Sequence, residues 1–274
     1  MHGTDPRVVL GLHRSRHERR LLKEALELGV TALDTSTNYL GFRSHETLAK
    51  VAGDLLWRFT ISTKVGFFPG REHSLDPARL RQSVERTAKD LGREPDVVLL
   101  HNPEHTLRNT PDAHAVLAQA CCVLVDAAAQ GLCQGWGISV WDARALAGIG
   151  DVPRPDVLMV RAGLFVGVDV LEASEGLMTR WRPVSTWGMS PFGGGRDADV
   201  WEKFDPQVFL RDGQGSQHQS AFRTAFHLPA VDALVVGTDR PDHLRELTEA
   251  LEFTVDGRAV EKYVELLKAL RHPV

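Results

Sequence analysis

Thr31-Ala32-Leu33-Asp34-Thr35-Ser36-Thr37-Asn38-Tyr39 is the stretch whose reading decides the fold. A short β-type run stops at a carboxylate, and the segment closes on one of only two tyrosines in the chain. Two later runs stop in the same way. Phe59-Thr60-Ile61-Ser62-Thr63-Lys64 ends in a lysine, and Asp96-Val97-Val98-Leu99-Leu100-His101 ends in a histidine. A parallel β/α barrel produces this pattern, because its strand ends converge on one face and that face carries the chemistry.

The flanking sequence extends the alternation in both directions. Arg7 to Leu12 is a β-type run, and His17 to Leu28 reads as a helix with Leu21, Leu22, Ala25 and Leu26 on one face and Gly29 as its stop. Glu46 to Leu56 is helical in pattern. Asp76-Pro77 is a strong helix start, a capping carboxylate followed by Pro at the first helical position. Gly92 closes that helix. Thr110-Pro111 reads as a second capped start, for a helix running to about Gln130. Strands then follow at Trp136 to Val140, Val157 to Ala162, Pro183 to Trp187 and Ala233 to Val236, with helices at Asp142 to Ala147, Val170 to Thr179, Ser220 to His227, Pro241 to Leu251 and Arg258 to Leu270. Phe192 to Gln219 reads as a long polar loop, of the kind that usually serves function. Eight strands alternating with helices predict an α/β protein, a closed (β/α)₈ TIM barrel forming one domain over residues 1–274. The competing architecture is an open doubly wound sheet, but no G-x-G-x-x-G follows the first strand.

Length and composition agree. A chain of 274 residues suits one barrel better than two domains. A net charge of −4 offers no basic stripe for nucleic acid. No apolar run reaches the roughly 18 residues of a membrane span, and no signal peptide opens the chain. Cys121, Cys122 and Cys133 show no metal-type spacing and no even disulfide set, so a reducing cytoplasm is the expected compartment. A monomer or small homo-oligomer is expected.

Asp34, Tyr39, Lys64 and His101 together carry a chemistry that none carries alone. A free phenol titrates near pH ~10, too high for easy proton exchange at neutral pH. An ammonium beside it favours the phenolate, and a carboxylate beside the ammonium keeps that charged and placed. A histidine can hold a carbonyl oxygen while the phenol gives or takes the proton. Singly, each has a plainer explanation: Asp34 as a helix cap, Tyr39 as a packing aromatic, Lys64 as a solvated strand end, His101 as a structural hydrogen-bonding residue. The functional reading rests on their placement at the ends of successive β-runs.

These residues sit in motifs that resemble the aldo-keto reductases over nearly the whole chain. Asp34-Thr35-Ser36-x-x-Tyr39, continuing through Gly41, Ser44 and Glu46, resembles the family's first signature; Ser62-Thr63-Lys64-Val65-Gly66 resembles its lysine motif and Leu99-Leu100-His101-Asn102-Pro103-Glu104 its histidine motif. Gly135-Trp136-Gly137-Ile138-Ser139, Ser190-Pro191-Phe192-Gly193 and Val235-Val236-Gly237-Thr238 are similar to weaker landmarks. The lysine motif is most like the branch that includes aldose and pyridoxal dehydrogenases.

The resemblance implies a catalytic tetrad of Asp34, Tyr39, Lys64 and His101, no metal, and an NAD(P)(H)-dependent oxidoreductase of the alcohol dehydrogenase type. Its substrate would be a small carbonyl or alcohol. The implied cofactor contacts are Ser139, Met159, Met189, Ser190, Gly237, Thr238, Arg240, His243, Arg245 and Glu246. The chain departs from the family in this half: Val140 stands where many members have Asn, Met159 where many have Gln, Met189 where a tyrosine often stacks on the nicotinamide, and Leu247 where an Asn often meets the adenine. Plain barrel packing also explains the two methionines. Gly237-Thr238-Asp239-Arg240-Pro241 leads into a helix start, which favours anions. Arg240, His243 and Arg245 could meet a 2′-phosphate, whereas Asp239 would suit a ribose hydroxyl. NADPH is therefore expected, with NADH the alternative. The rival to a redox enzyme is a non-redox acid/base enzyme, or a regulatory binding subunit, on the same barrel.

Two smaller expectations complete the reading. Only Met1 to Pro6 precede the first strand, so the family's floor hairpin is expected to be missing. The Pro69 to Leu75, Asn102 to Asn109 and Phe192 to Gln219 loops should shape the substrate pocket, with Phe67, Phe68, Trp141, Trp187, Trp201 and Phe204 as candidate walls.

Overall fold

Eight parallel strands close on themselves in a computed structural model that describes residues 7–194, 204–211, 213 and 215–271. The strands are Arg7–Gly11, Ala32–Asp34, Thr60–Val65, Val97–His101, Gly135–Ser139, Val157–Arg161, Ser185–Met189 and Ala233–Val236. The first pairs with both the second and the eighth, so the ring has no edge. The floor-hairpin expectation falls on residues 1–6 and Trp201 on residue 201, both outside the described residues.

Alternation along each strand sorts the side chains into two cores. Val9, Leu99, Val157, Met159, Trp187, Ala233 and Val235 fill the barrel interior. Their chain neighbours Leu10, Val98, Leu100, Leu158 and Leu234 point outward to the helices, in the large core with Leu21, Leu48, Leu80 and Leu117. A parallel strand buried on both faces needs this near-continuous apolar run. Gly137 marks the tightest place: a Cβ there would lie 2.0 Å from the Val157 carbonyl oxygen of the next strand.

Local signals set most helix ends. Asp76 accepts from the Arg79 N–H, helix Pro77–Leu91 follows, and Gly92 ends it in the left-handed region. Ser216 and Gln219 form a capping box for Gln217–Ala225, two to three residues earlier than the apolar pattern suggested. The Thr110-Pro111 start is corrected: helix Ala113–Ala129 is capped by Asp112, whose carboxylate takes the Ala115 N–H, while the Thr110 hydroxyl turns back to the Thr106 carbonyl. The first helix also begins later than expected, at Arg19, because His17 is drawn into the interior against Ser44. The long loop contains the turn Pro206–Phe209 and an isolated bridge from Leu210 to Val255. With the C-terminal helix Gly257–Arg271 it builds a separate small core in which Phe204, Phe209 and Tyr263 pack together.

Candidate active site

The strand C-termini open into a cleft of about 640 Å³. Its floor holds all four of Asp34, Tyr39, Lys64 and His101. Asp34 is the last residue of the second strand, Lys64 the penultimate of the third, and His101 the last of the fourth. Tyr39 follows the second strand and opens the short turn Tyr39–Gly41.

Lys64 is the hub. Its Nζ donates to Asp34 Oδ2 at 2.5 Å, to the Thr35 carbonyl at 3.0 Å and to the Tyr39 hydroxyl at 3.3 Å. Three donors meet three acceptors, as burial of an ammonium requires. Ser62 occupies the other carboxylate oxygen, 2.9 Å from Asp34 Oδ1. Burial pushes the Lys64 ammonium towards a lower pKa, but the Asp34 carboxylate and then Tyr39 outweigh it, and the net shift is upward.

Tyr39 shows a balance that composition could not give. Burial raises the phenol's pKa, the Lys64 charge lowers it, and Asp34 raises it again; the net direction is up. The expectation that the ammonium would leave the phenol more acidic than usual is therefore corrected. Desolvation of the would-be phenolate exceeds the pull of one ammonium already shared with Asp34. At neutral pH Tyr39 is a protonated donor.

His101 is fully enclosed on one side. Burial, then the Lys64 charge and three further histidines, hold its pKa well below 6.5, so the ring is neutral. Its Nδ1 lies 3.0 Å from Ser36 Oγ. Ser36 Oγ also lies 2.6 Å from Asn38 Oδ1. For Nε2 to carry the proton and offer it to a substrate oxygen, the one Ser36 hydroxyl proton goes to Nδ1, and the Asn38 amide turns to present its NH₂ to Ser36 Oγ. Phe67 meets the His101 ring edge-on at 4.8 Å, and His13 meets Tyr39 at 5.0 Å.

The other half of the floor is apolar. Met159, Met189, Val235 and Val236 line it, with Ser139, Ser190, Gly237, Thr238 and Asp239. The Ser139 hydroxyl reaches Met159 Sδ at 3.5 Å. Val140 faces away from the cleft into the large core, and so does Leu247. Neither could present an amide there without leaving an apolar cluster. Asp239 is tied to the first strand's loop, accepting from Ser15 Oγ at 2.7 Å and from the Arg16 N–H at 3.3 Å. Arg240 is the uncapped residue before helix Pro241–Glu249 and lines a shallow dent with Glu18, Arg20 and Asp242. His243, Arg245 and Glu246 stand exposed on that helix, beyond the cleft lining.

Of the candidate walls, Phe67 and Trp141 line the cleft. Phe68 stacks under Arg79, Trp187 plugs the barrel, and Phe204 belongs to the small C-terminal core. Asn102 and Phe192, the first residues of two loops expected to shape the pocket, line the cleft; the sequence singled out neither His13 as a lining residue nor Ser36 as the partner of His101, although His13 stands just beyond a strand end like Asp34, Lys64 and His101. Among the described residues no cluster of His, Cys, Asp or Glu could hold a metal, and no helix is long and apolar enough to cross a membrane.

Residues 13–196 match the Aldo/keto reductase family. No curated protein is significantly similar to the chain. Solved structures share the fold. An aldo-keto reductase of Bacillus halodurans in its holo form superposes with a TM-score of 0.73 at 17% identity, over 95% of this chain and 91% of that one. An aldo-keto reductase of Klebsiella pneumoniae in complex with NADPH gives 0.71 at 16%, over 95% and 90%. An aldose reductase of Giardia lamblia gives 0.69 at 14%, over 100% and 95%.

Proposed function

Because this chain belongs to the aldo/keto reductase family, we propose that it interconverts a small carbonyl compound and its alcohol, using NADPH and a tyrosine general acid/base. The observation that carries the reading is the contact of Lys64 Nζ with both Asp34 and the Tyr39 hydroxyl, on the floor of an open cleft. The residues present fit a dinucleotide. One cleft runs from Tyr39 past Met159 and Met189 to Gly237, Thr238 and Asp239, and the helix that follows starts with no side-chain cap. Ser139, Met159, Met189 and Ser190 would hold the nicotinamide end. Gly237, Thr238, Arg240, His243, Arg245 and Glu246 would meet the phosphates and adenosine. Asp239 already accepts from Ser15 and Arg16, which leaves the cation Arg240 to decide for the 2′-phosphate and hence NADPH over NADH. When bound, NADPH supplies the hydride.

The chain's own residues do the rest. In reduction, neutral His101 orients the carbonyl oxygen through Nε2–H, and Tyr39 gives that oxygen its proton. Lys64 stabilises the phenolate left behind, and Asp34 keeps Lys64 charged and aimed. The raised phenol pKa suits this direction, because a donor must hold its proton until charge develops on the substrate.

The test is Tyr39→Phe with NADPH titration by fluorescence. Nucleotide affinity should stay nearly unchanged while kcat falls roughly 10²–10⁴-fold, since the phenol acts only in the transition state. Near-full activity in Tyr39→Phe would remove Tyr39 from the reaction. Failure of NADPH and NADH to bind at millimolar concentration would favour a non-redox acid/base enzyme, to which the apolar Met159 and Met189 floor also lends itself.

A further inference from the structure

Arg161 is the last residue of the sixth strand, two positions beyond the floor residue Met159. Strand periodicity therefore puts it on the same side as Met159, at the rim. Its guanidinium lies over the ring of Trp141, with Cζ 4.9 Å from the centroid, and Trp141 is a wall of the cleft. The side chain is half-buried, and its Nε is enclosed without a hydrogen-bond partner.

Asp142, the carboxylate that attracts the guanidinium, is already committed. Asp142 accepts from Arg108 Nη2 at 2.8 Å and from Arg144 Nε and Nη2 at 2.8 and 3.0 Å. Glu104 accepts at Oε1 from the backbone N–H groups of Trp141 and Asp142, at 2.9 and 3.1 Å, while its Oε2 is buried without a partner of its own; burial raises its pKa towards the neutral acid, and it does not reach Arg161. Among the described residues Arg161 forms no ion pair or hydrogen bond through its guanidinium; Asp142 attracts it and Arg144 repels it from a distance, and it rests on the face of Trp141. Three arginines thus share a rim with the single committed carboxylate of Asp142. A half-buried, unpaired guanidinium costs free energy unless something anionic completes it. Other half-buried arginines end on acceptors: Arg93 on Asp96 and three carbonyls, Arg19 on Asp54 and one carbonyl, Arg223 on one carbonyl.

We propose that Arg161, on its Trp141 platform, binds an anionic group, a carboxylate or a phosphate, carried at the far end of the substrate whose carbonyl meets Tyr39. The proposal rests on the oxidoreductase reading and narrows its substrate class to aldehydes or ketones with a negatively charged tail. Arg161 then acts as a specificity residue, remote from the reacting atoms. Guanidinium suits both anions because its donors form a planar fork.

The full-length protein with NADPH is offered ω-oxo carboxylates and ω-oxo alkyl phosphates of graded chain length, each against the neutral aldehyde of the same length. The ratio of kcat/KM for charged over neutral substrate should peak at one length at about tenfold or more, as one charge-assisted contact allows. Arg161→Gln should bring that ratio to near unity, and Arg161→Lys should keep part of it; circular dichroism checks that both variants fold. The series with the higher peak identifies the anion. No preference at any length, or a preference that survives Arg161→Gln, overturns the proposal. If no aldehyde is reduced at all, the oxidoreductase reading falls separately. Calorimetric titration with ω-hydroxy carboxylates and alkyl phosphates then reads the anion site alone: binding lost in Arg161→Gln supports it, and absence of binding by the unaltered protein overturns it.

Discussion

The two halves of the cleft floor are built on different terms. Below Tyr39, the polar groups hold one another: Lys64 with Asp34, Thr35 and Tyr39, Asp34 with Ser62, His101 with Ser36. Across the barrel, Met159, Met189 and Val235 present apolar surface, and the contact between Ser139 and Met159 sulfur is a weak one. A polar network in a dry site fixes protonation and geometry at once, and fails as a unit when one member is removed. An apolar floor supplies shape and tolerates change. The difference teaches where selectivity for chemistry is stored and where selectivity for ligand can drift.

The sharpest way to break the first half is Lys64→Met. Asp34 would be left buried with Ser62 but no cation, which should cost about 3–5 kcal/mol of stability. Turnover should fall into the same range as for Tyr39→Phe. Loss of the Lys64 charge removes what lowers the Tyr39 pKa, so the rise of alcohol oxidation with pH should move to higher pH. Urea titration and a pH–rate profile check the two parts. Full stability in the variant would mean that the Lys64–Asp34 pair adds nothing net to folding.

Acid should unsettle this half and the helix behind it first: His45 lies on helix Ser44–Ala52 with Nε2 2.8 Å from Thr63 Oγ1, next to Lys64 in the third strand. Burial holds the His45 pKa down to about 4, and burial with the Lys64 charge holds His101 well below 6.5. Between pH 6.5 and about 4 the unfolded chain therefore takes up protons that the native imidazoles refuse, and stability falls as pH falls through that window. His45 alone contributes on the order of 3 kcal/mol. His45→Gln should flatten the curve of urea midpoint against pH between 6.5 and 4, and an unchanged curve would assign the loss to other groups.

Changes in the apolar half should be smaller. Met159→Gln would put an amide beside Ser139, and NADPH affinity should rise by up to about tenfold, the worth of one good hydrogen bond. Weaker binding would show that the apolar floor is itself the fitted surface. Arg240→Ala should weaken NADPH more than NADH by a comparable factor, read by parallel titrations. The smallest effect is expected at Tyr263→Phe. Its hydroxyl donates to the Leu164 carbonyl at 2.6 Å in the C-terminal core, so stability should fall by about 1 kcal/mol with kcat untouched. A fall in kcat would link that core to the cleft.

Much of this molecule is determined by neighbours a few residues apart. The cap at Asp76, the stop at Gly92 and the third strand at Thr60–Val65 follow from local preference. The order of Asp34, Tyr39, Lys64 and His101 along the chain was enough to place them together, because strand ends in a parallel barrel meet on one side. The helix start at Asp112 was misplaced for a local reason too, since Thr110-Pro111 competes with it for the same role.

Other outcomes needed the closed barrel. Whether Trp187 lined a pocket or plugged the interior, and whether Val140 and Leu247 faced cleft or core, depended on packing against residues far away in sequence. So did the pairing of Ser36 with His101, 65 residues on, and of Arg161 with Trp141. The direction of the Tyr39 pKa was decided the same way. Charge partners can be read from sequence, but the desolvation that outweighs them exists only once strands from the whole chain have excluded water from one floor.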